Sequence, residues 1–468
     1  MNDLPRHAAL RIVLAVTVGC LAGCASYHPL PLTEREAARH DLRQLARDAG
    51  RIDLPGLEAH PIDPEQPLDI TSVAMLAVVG NPDLRLARAD AGIASAQAFA
   101  AGLLPDPQIN LTRDFPGRPG YVPAFNAGIA FDFGSLVTLA ARRAAAAADQ
   151  RKVDLALLWQ EWQVVARARK LFAGIDFLER HGALLQQALA LSGQRVEAVR
   201  RALDAGNATI DALAPHLVTQ ADARRQRDEQ MRELRLARLA LNALLGLPPD
   251  AQLALAALPP PPAFDPAAVD DALRNLPARR PDLRALAAGY AAQEERLRAA
   301  VLSQFPSLNI GFTRARDTSA LFTSGYTLAV ALPSFNANRG GIAVETATRQ
   351  RLRDEYRNRI DAARDDVLQI VADQAELETR LRAARASAAA LARTAAAAEA
   401  AWQARDLTLA SYIDLQSALL AARVQVIALE RTAYEQRIAL QSLLGGEVPP
   451  AHMTGAVRRT SNEGESPR

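Results

Sequence analysis

Aromatic residues make up only 5% of this chain, cysteine occurs twice and methionine four times, and from Ile342 to Leu444 there is neither glycine nor proline. Two cysteines exclude a disulfide-built scaffold. The charges nearly cancel, 54 basic against 52 acidic, and leave no positive field to attract nucleic acid. The seven histidines (His7, His28, His40, His60, His181, His216 and His452) are scattered, with no pair at metal-ligand spacing. No glycine-rich phosphate loop or nucleophile motif accompanies them, so neither an enzyme nor a bound cofactor or metal is expected. After residue 24 no apolar run reads as long enough for a transmembrane helix. The long breaker-free segments are rich in Ala, Leu, Arg, Gln and Glu, which favours helix.

What is present is said twice. Asn81-Pro82-Asp83-Leu84-Arg85 returns as Arg280-Pro281-Asp282-Leu283-Arg284, an offset of 199. Pro107-Gln108-Ile109-Asn110-Leu111 returns as Pro306-Ser307-Leu308-Asn309-Ile310 at the same offset. So does Ala240–Gly246, as Ala439–Gly445. A repeat of this length is a duplicated half-molecule. The expected divisions are a leader over 1–23, an extended segment over 24–65, a first repeat over 66–258, a proline-rich linker over 259–265, a second repeat over 266–446 and a disordered polar tail over 447–468.

The leader begins with Arg6 and Arg11, continues through the apolar Ile12–Val18 and ends in Leu21-Ala22-Gly23-Cys24. This resembles a bacterial lipoprotein signal, against the alternative of an ordinary secretory peptide. The resemblance implies cleavage before Cys24, acyl chains on Cys24 as the only prosthetic group, and export to the outer membrane, since Ala25 is not an aspartate. Cys20 leaves with the leader.

Each half follows one plan: short helix, helix, hairpin, very long helix, break, long helix. The first long helix is expected over Leu136–Leu203 and its partner over Thr209–Leu245, with Pro215 causing a kink or a late start. In the second half Leu352, Tyr356, Ile360, Ala363, Val367, Ile370, Gln374, Leu377, Leu381, Ala384, Ala388 and Leu391 alternate spacings of three and four, a coiled-coil seam. Between the helices Ile109/Leu111, Phe125/Ala127/Ile129/Phe131/Phe133, Leu308/Ile310/Phe312 and Tyr326/Leu328/Val330/Leu332 alternate with small or polar residues. They read as four strands joined by loops over 113–123 and 314–323. That alternation suits a half-buried sheet on a soluble core or a membrane barrel. Eight of the twelve phenylalanines fall in 115–133 and 305–335, which suits a lipid-facing band with aromatic girdles. Four strands cannot close a barrel, so strands placed in lipid must be pooled by several chains.

Duplicated halves, proline-led strands, paired Leu-Leu-Gly endings and the segment Leu332–Gly340 together resemble the TolC family of outer-membrane efflux channels, lipid-anchored branch. The resemblance implies a mainly α fold with a small membrane β part. Two tandem repeats carry very long antiparallel coiled-coil helices that form an α-barrel. Two hairpins per chain contribute four strands to a trimeric 12-stranded β-barrel. It implies a homotrimer in outer-membrane lipid, a passive duct working with a periplasmic adaptor and an inner-membrane pump, RND-type foremost. Two other readings stay open: the same duct in type I protein secretion, or a periplasmic coiled-coil adaptor or structural lipoprotein. An adaptor would need β-rich modules that this chain lacks.

The resemblance also places a periplasmic gate at the helix tips. Asp414 matches the family's gate aspartate, with Ser411 beside it and Ser417 where a second aspartate would stand. Ser411-x-x-Asp414 equally fits a capping box. Thr209 and Asp211 mark the first tip, or form an N-cap and a first-turn acid. Asp132 lines the lumen or marks a strand-to-helix corner.

Overall fold

The structure, a computed structural model, describes residues 27–32, 41–49, 62–261, 266–333 and 335–445. The leader, Cys24, part of the proline linker and the tail over 447–468 lie outside the described residues. The chain divides into a unit ending at Arg39 and one beginning at His40. Of the first unit only 27–32 is described, and it has no regular structure. The rest concerns the second unit.

After a short helix α1 (Leu42–Ala49), the first half runs α2 (Ile70–Gly80), α3 (Pro82–Ala101), β1 (Gln108–Asp114), β2 (Ala124–Asp132), α4 (Gly134–Asp204) and α5 (Ile210–Leu244). The second runs α6 (Pro266–Arg274), α7 (Leu276–Arg279), α8 (Pro281–Leu302), β3 (Ser307–Arg316), β4 (Phe322–Ala331), α9 (Arg339–Gln403) and α10 (Leu409–Leu443). At 71 residues, α4 is about 105 Å long. Helices α5 and α10 have 35 residues each and start 199 residues apart. Helix α5 begins at Ile210 with Pro215 inside it, so the expected late start does not occur. A proline in the second turn forgoes one backbone hydrogen bond and leaves the turn before it intact.

The seam holds the second half together. Ala363, Val367, Gln374, Leu377 and Ala384 are buried, and the other seam residues are half-buried. The amide in the seam, buried Gln374, is satisfied across the pair by Gln436, Nε2 to Oε1 at 2.6 Å. Helix α10 also packs on α4 of the first half, where Phe177 meets Tyr434 edge to face at 6.2 Å. There Glu430 accepts from Arg180 at 2.7 Å and Arg385 at 2.8 Å. Burial pushes the Glu430 carboxyl up, but the two guanidiniums outweigh it and hold it below the ordinary glutamate range. By length and composition alone α10 could also cross a membrane, which the sequence reading did not anticipate. Most of its apolar window is uncovered in the single chain.

The repeated motifs close the ends of the helices by different chemistry. Asn81 caps α3 by accepting from the Leu84 amide at 3.0 Å, and its Nδ2 donates to the Leu244 carbonyl at 3.1 Å. The equivalent Arg280 makes no cap. It is buried, 2% exposed, forked on Asp282 at 2.9 and 2.7 Å and stacked over Trp159 at 4.9 Å. Burial pushes Asp282 up, and Arg280 with Arg359 brings it below the ordinary carboxylate range.

Each long helix ends in the same turn. Gly206 (φ +71°) and Arg405 (φ +67°), 199 residues apart, are both left-handed. Asn207 donates to the Ala202 carbonyl as Asp406 does to that of Ala401, a Schellman closure in both cases. The two tips therefore share a backbone and differ in side chains, where the sequence alone shows only difference.

Candidate channel elements: the sheet and the helix tips

The four strands form one antiparallel meander in the order β1-β2-β3-β4, so β1 and β4 are open edges. Register puts Ile109, Ile129, Phe312 and Tyr326 in one row across the sheet. The next row toward the helices is Phe131, Ile310 and Leu328. Because side chains alternate, these rows make one apolar face. It is uncovered: Ile109 is 72% exposed and Tyr326 87%. The opposite face carries Asn110, Asn126, Gly128, Asn309, Gly311 and Thr327, all polar or small.

The strands run further than the alternation predicts. Arg314 pairs with Ala127 and Ser324, and Arg316 with Phe125 and Phe322. Pairing with a strand on each side carries β3 past the last residue of its apolar pattern. The second tip shrinks to 317–321, where the Asp317 carboxylate accepts from the amides of Ser319 and Leu321. At the other end Asp132 lies on the polar face, and its carboxylate accepts from the Ser135 amide at 3.3 Å. It therefore marks the strand-to-helix corner as well.

At the far tips, Thr408 caps α10 by accepting from the Ser411 amide at 3.1 Å. Asp414 thus has no part in the cap: it lies a turn too late, and the hydroxyl of Thr408 already takes the free amide. The carboxylate of Asp414, 70% exposed, instead faces Arg195 of α4 at 3.3 Å. Arg195 also donates to the Ala410 carbonyl at 2.7 Å. Asp414 and Ser417 border a cleft of about 570 Å³ with Ser192, Arg195, His216 and Asp222. Thr209 occupies the N-cap position of α5 without a side-chain cap bond, and Asp211 is its first-turn acid. Neither reaches the cleft, so the structure groups Asp414 and Ser417 with Arg195 and leaves Thr209 and Asp211 apart.

Arg195 is the residue that sequence reasoning missed. Its signal was a spacing: Ala188, Ser192 and Arg195 fall four and three apart, which puts a charge on a helical seam.

The sequence profile of a family described as "Outer membrane efflux protein" matches residues 272–446. Over this stretch, rather more than a third of its length, the chain is similar to the outer membrane efflux proteins. The fold extends the likeness over the first half. The outer-membrane channel OprN aligns with a TM-score of 0.68 at 17% identity, covering 91% of this chain and all (100%) of that one. CusC gives 0.65 at 20%, covering 84% and 96%. The MtrE outer membrane channel of Neisseria gonorrhoeae gives 0.66 at 18%, covering 81% and 89%. At these identities the likeness establishes the fold, an efflux-channel fold of helical hairpins below a small sheet. A search of curated proteins finds no match to the chain.

Proposed function

We propose that this chain is the outer-membrane channel subunit of a tripartite efflux system. Three copies form a passive duct through the outer membrane and periplasm, served by a periplasmic adaptor and an inner-membrane pump of the RND type. The observation that carries this reading is the sheet: a meander with one exposed apolar face, one polar face and two open edges.

An open edge in hydrocarbon leaves backbone groups unpaired at several kcal/mol each. With an even strand number, β1 and β4 point in opposite directions, so β4 of one copy meets β1 of the next antiparallel. Repeating that contact around an axis closes the sheet. Three copies give twelve strands, above the minimum of about eight. The uncovered apolar side of α10 supplies a second surface for a neighbouring copy. A periplasmic adaptor has no use for an exposed apolar sheet. The same duct would serve protein secretion, and the partner pump decides between the two.

In this reading Cys24 carries the lipid anchor, and Asp132 borders the lumen where sheet passes into helix. The periplasmic gate lies at the Arg195–Asp414 contact, with Ser411 and Ser417 beside it and Thr209 and Asp211 on the neighbouring tip. Three copies would bring three such ion pairs around the axis, so the carboxylates are partly neutralised by their own chains.

The purified chain should run as a heat-dissociable trimer and conduct ions in planar bilayers. A monomer that conducts nothing would refute the channel. Cys24→Ser should abolish incorporation of labelled fatty acid, and retained label would remove the anchor from this account.

A further inference from the structure

The apolar face of the sheet is not apolar throughout. At the hairpin end, remote from the helices, Arg113, Arg314 and Arg316 stand on the same side as Ile109, Ile129 and Phe312. Arg113 and Arg316 flank Phe125 from the two neighbouring strands, and Arg314 lies one side-chain repeat below Arg316. Among the described residues Arg113 and Arg314 make no ion pair with an acid. The acid that follows β3, Asp317, is turned to the amides of its own loop.

Arg316 is fixed in place. Its guanidinium lies 5.7 Å from the Phe125 ring and 5.8 Å from that of Phe322, and Nη2 donates to the Pro123 carbonyl at 2.8 Å. Its Nε is shielded from water and has no protein acceptor. The guanidinium of Arg113 is likewise held over Phe115 at 5.1 Å.

On a lipid-facing wall an arginine is costly at mid-membrane and nearly free at the interface. From the Leu308 row to the Arg316 row is eight residues, about 27 Å along the strand, or roughly 20 Å of height at the usual tilt. The arginines thus sit at the upper end of this span, which is somewhat shorter than the apolar band of about 25 Å on membrane barrels, among Phe115, Phe125 and Phe322. Forked guanidiniums at that level match phosphate oxygens.

We propose that Arg113, Arg314 and Arg316 form a clamp for the phosphate of lipid headgroups in the outer leaflet. The clamp gives each hairpin pair a bound, phosphate-bearing lipid. It rests on the barrel reading above, because it requires the apolar face to meet lipid.

The test reconstitutes the full chain in phosphatidylcholine bilayers containing a minor fraction of phosphatidic acid, a phosphate monoester. Lipid retained by the protein is counted by native mass spectrometry, and conductance is recorded in parallel. The native chain should enrich phosphatidic acid over phosphatidylcholine. The variant R113Q/R314Q, which spares the Arg316–Pro123 contact, should lower that enrichment by about tenfold with conductance unchanged. Arg113→Lys/Arg314→Lys should fall between, keeping charge and losing the fork. Equal enrichment by the native chain and R113Q/R314Q, with conductance intact, overturns the clamp and leaves the barrel standing. Enrichment abolished by millimolar inorganic phosphate overturns it too, in favour of a free-anion site. A chain that neither inserts nor conducts removes the barrel and the clamp together.

Discussion

Two glycines of this chain share a backbone conformation and differ in what surrounds them. Gly206 has φ +71° and Gly246 φ +68°. An alanine at either must hold a left-handed φ, which costs about 1–2 kcal/mol, less about 0.4–1 recovered from the stiffer unfolded chain. At Gly206 a Cβ meets nothing within 4 Å, so Gly206→Ala should cost only about 1 kcal/mol. At Gly246 the Cβ would stand 2.3 Å from the Gly80 carbonyl oxygen. That oxygen belongs to the last residue of α2, which is seated among the buried Leu45, Leu76 and Leu245 and cannot swing away. Displacing the end of α2 is an overpacking problem worth about 1–3 kcal/mol more. Gly246→Ala should therefore lose about 2–4 kcal/mol in total. Denaturant midpoints of the two purified variants measure the difference, and hydrogen exchange in α2 locates it. Equal midpoints would refute the idea that the Gly80–Gly246 approach, and not φ alone, fixes a glycine at 246.

Arg405 holds the left-handed position that Gly206 fills in the other half, so Arg405→Gly should stabilise the second tip by about 0.5–1 kcal/mol, read as slower exchange of the Asp406 amide. Glu430→Gln leaves Arg180 and Arg385 facing each other and should cost about 1–2 kcal/mol, near the lower end for a broken pair because both arginines remain partly in water. The native Glu430 contribution is complete above the ordinary glutamate pKa of about 4.3 and is lost as pH falls below it through the depressed value. The variant should lack that part of the acid destabilisation. Asp414→Ala and Arg195→Ala should each shift channel opening by up to about fivefold per subunit, the worth of an exposed ion pair, and the double variant should add nothing. Additive effects on conductance would mean the two side chains act separately.

The parts legible in the sequence were those with a period. Every seam residue from Leu352 to Leu391 is at least half-buried, because two helices in long contact must repeat their apolar positions. The alternation around Ile129 and Phe312 likewise gave the faces of the sheet. What it did not give is what depends on chain segments far apart. Asp414 fits a capping box as well as a gate because Ser411 stands three before it; its partner Arg195 is 219 residues away. Arg314 and Arg316 looked like loop because charge ended the pattern, and only their neighbours on β2 and β4 make them strand. The identical turns at the two tips were hidden for the opposite reason. Gly206 and Arg405 differ as letters, while the hydrogen bonds around them agree.

The polar face of the sheet has one more consequence. Between its ends it carries Gly128, Gly311 and Gly325 with alanines, threonines and asparagines, its largest side chain is that of Gln108, and its only acids are Asp114 and Asp132 at the strand ends. A closed ring of such strands has a bore set by its backbone, with almost nothing reaching inward to grip. In the proposed barrel, cargo would slide past short side chains, and the upper wall would offer little discrimination. In the proposed duct, a wall built this way would leave the choice of cargo to the partner pump.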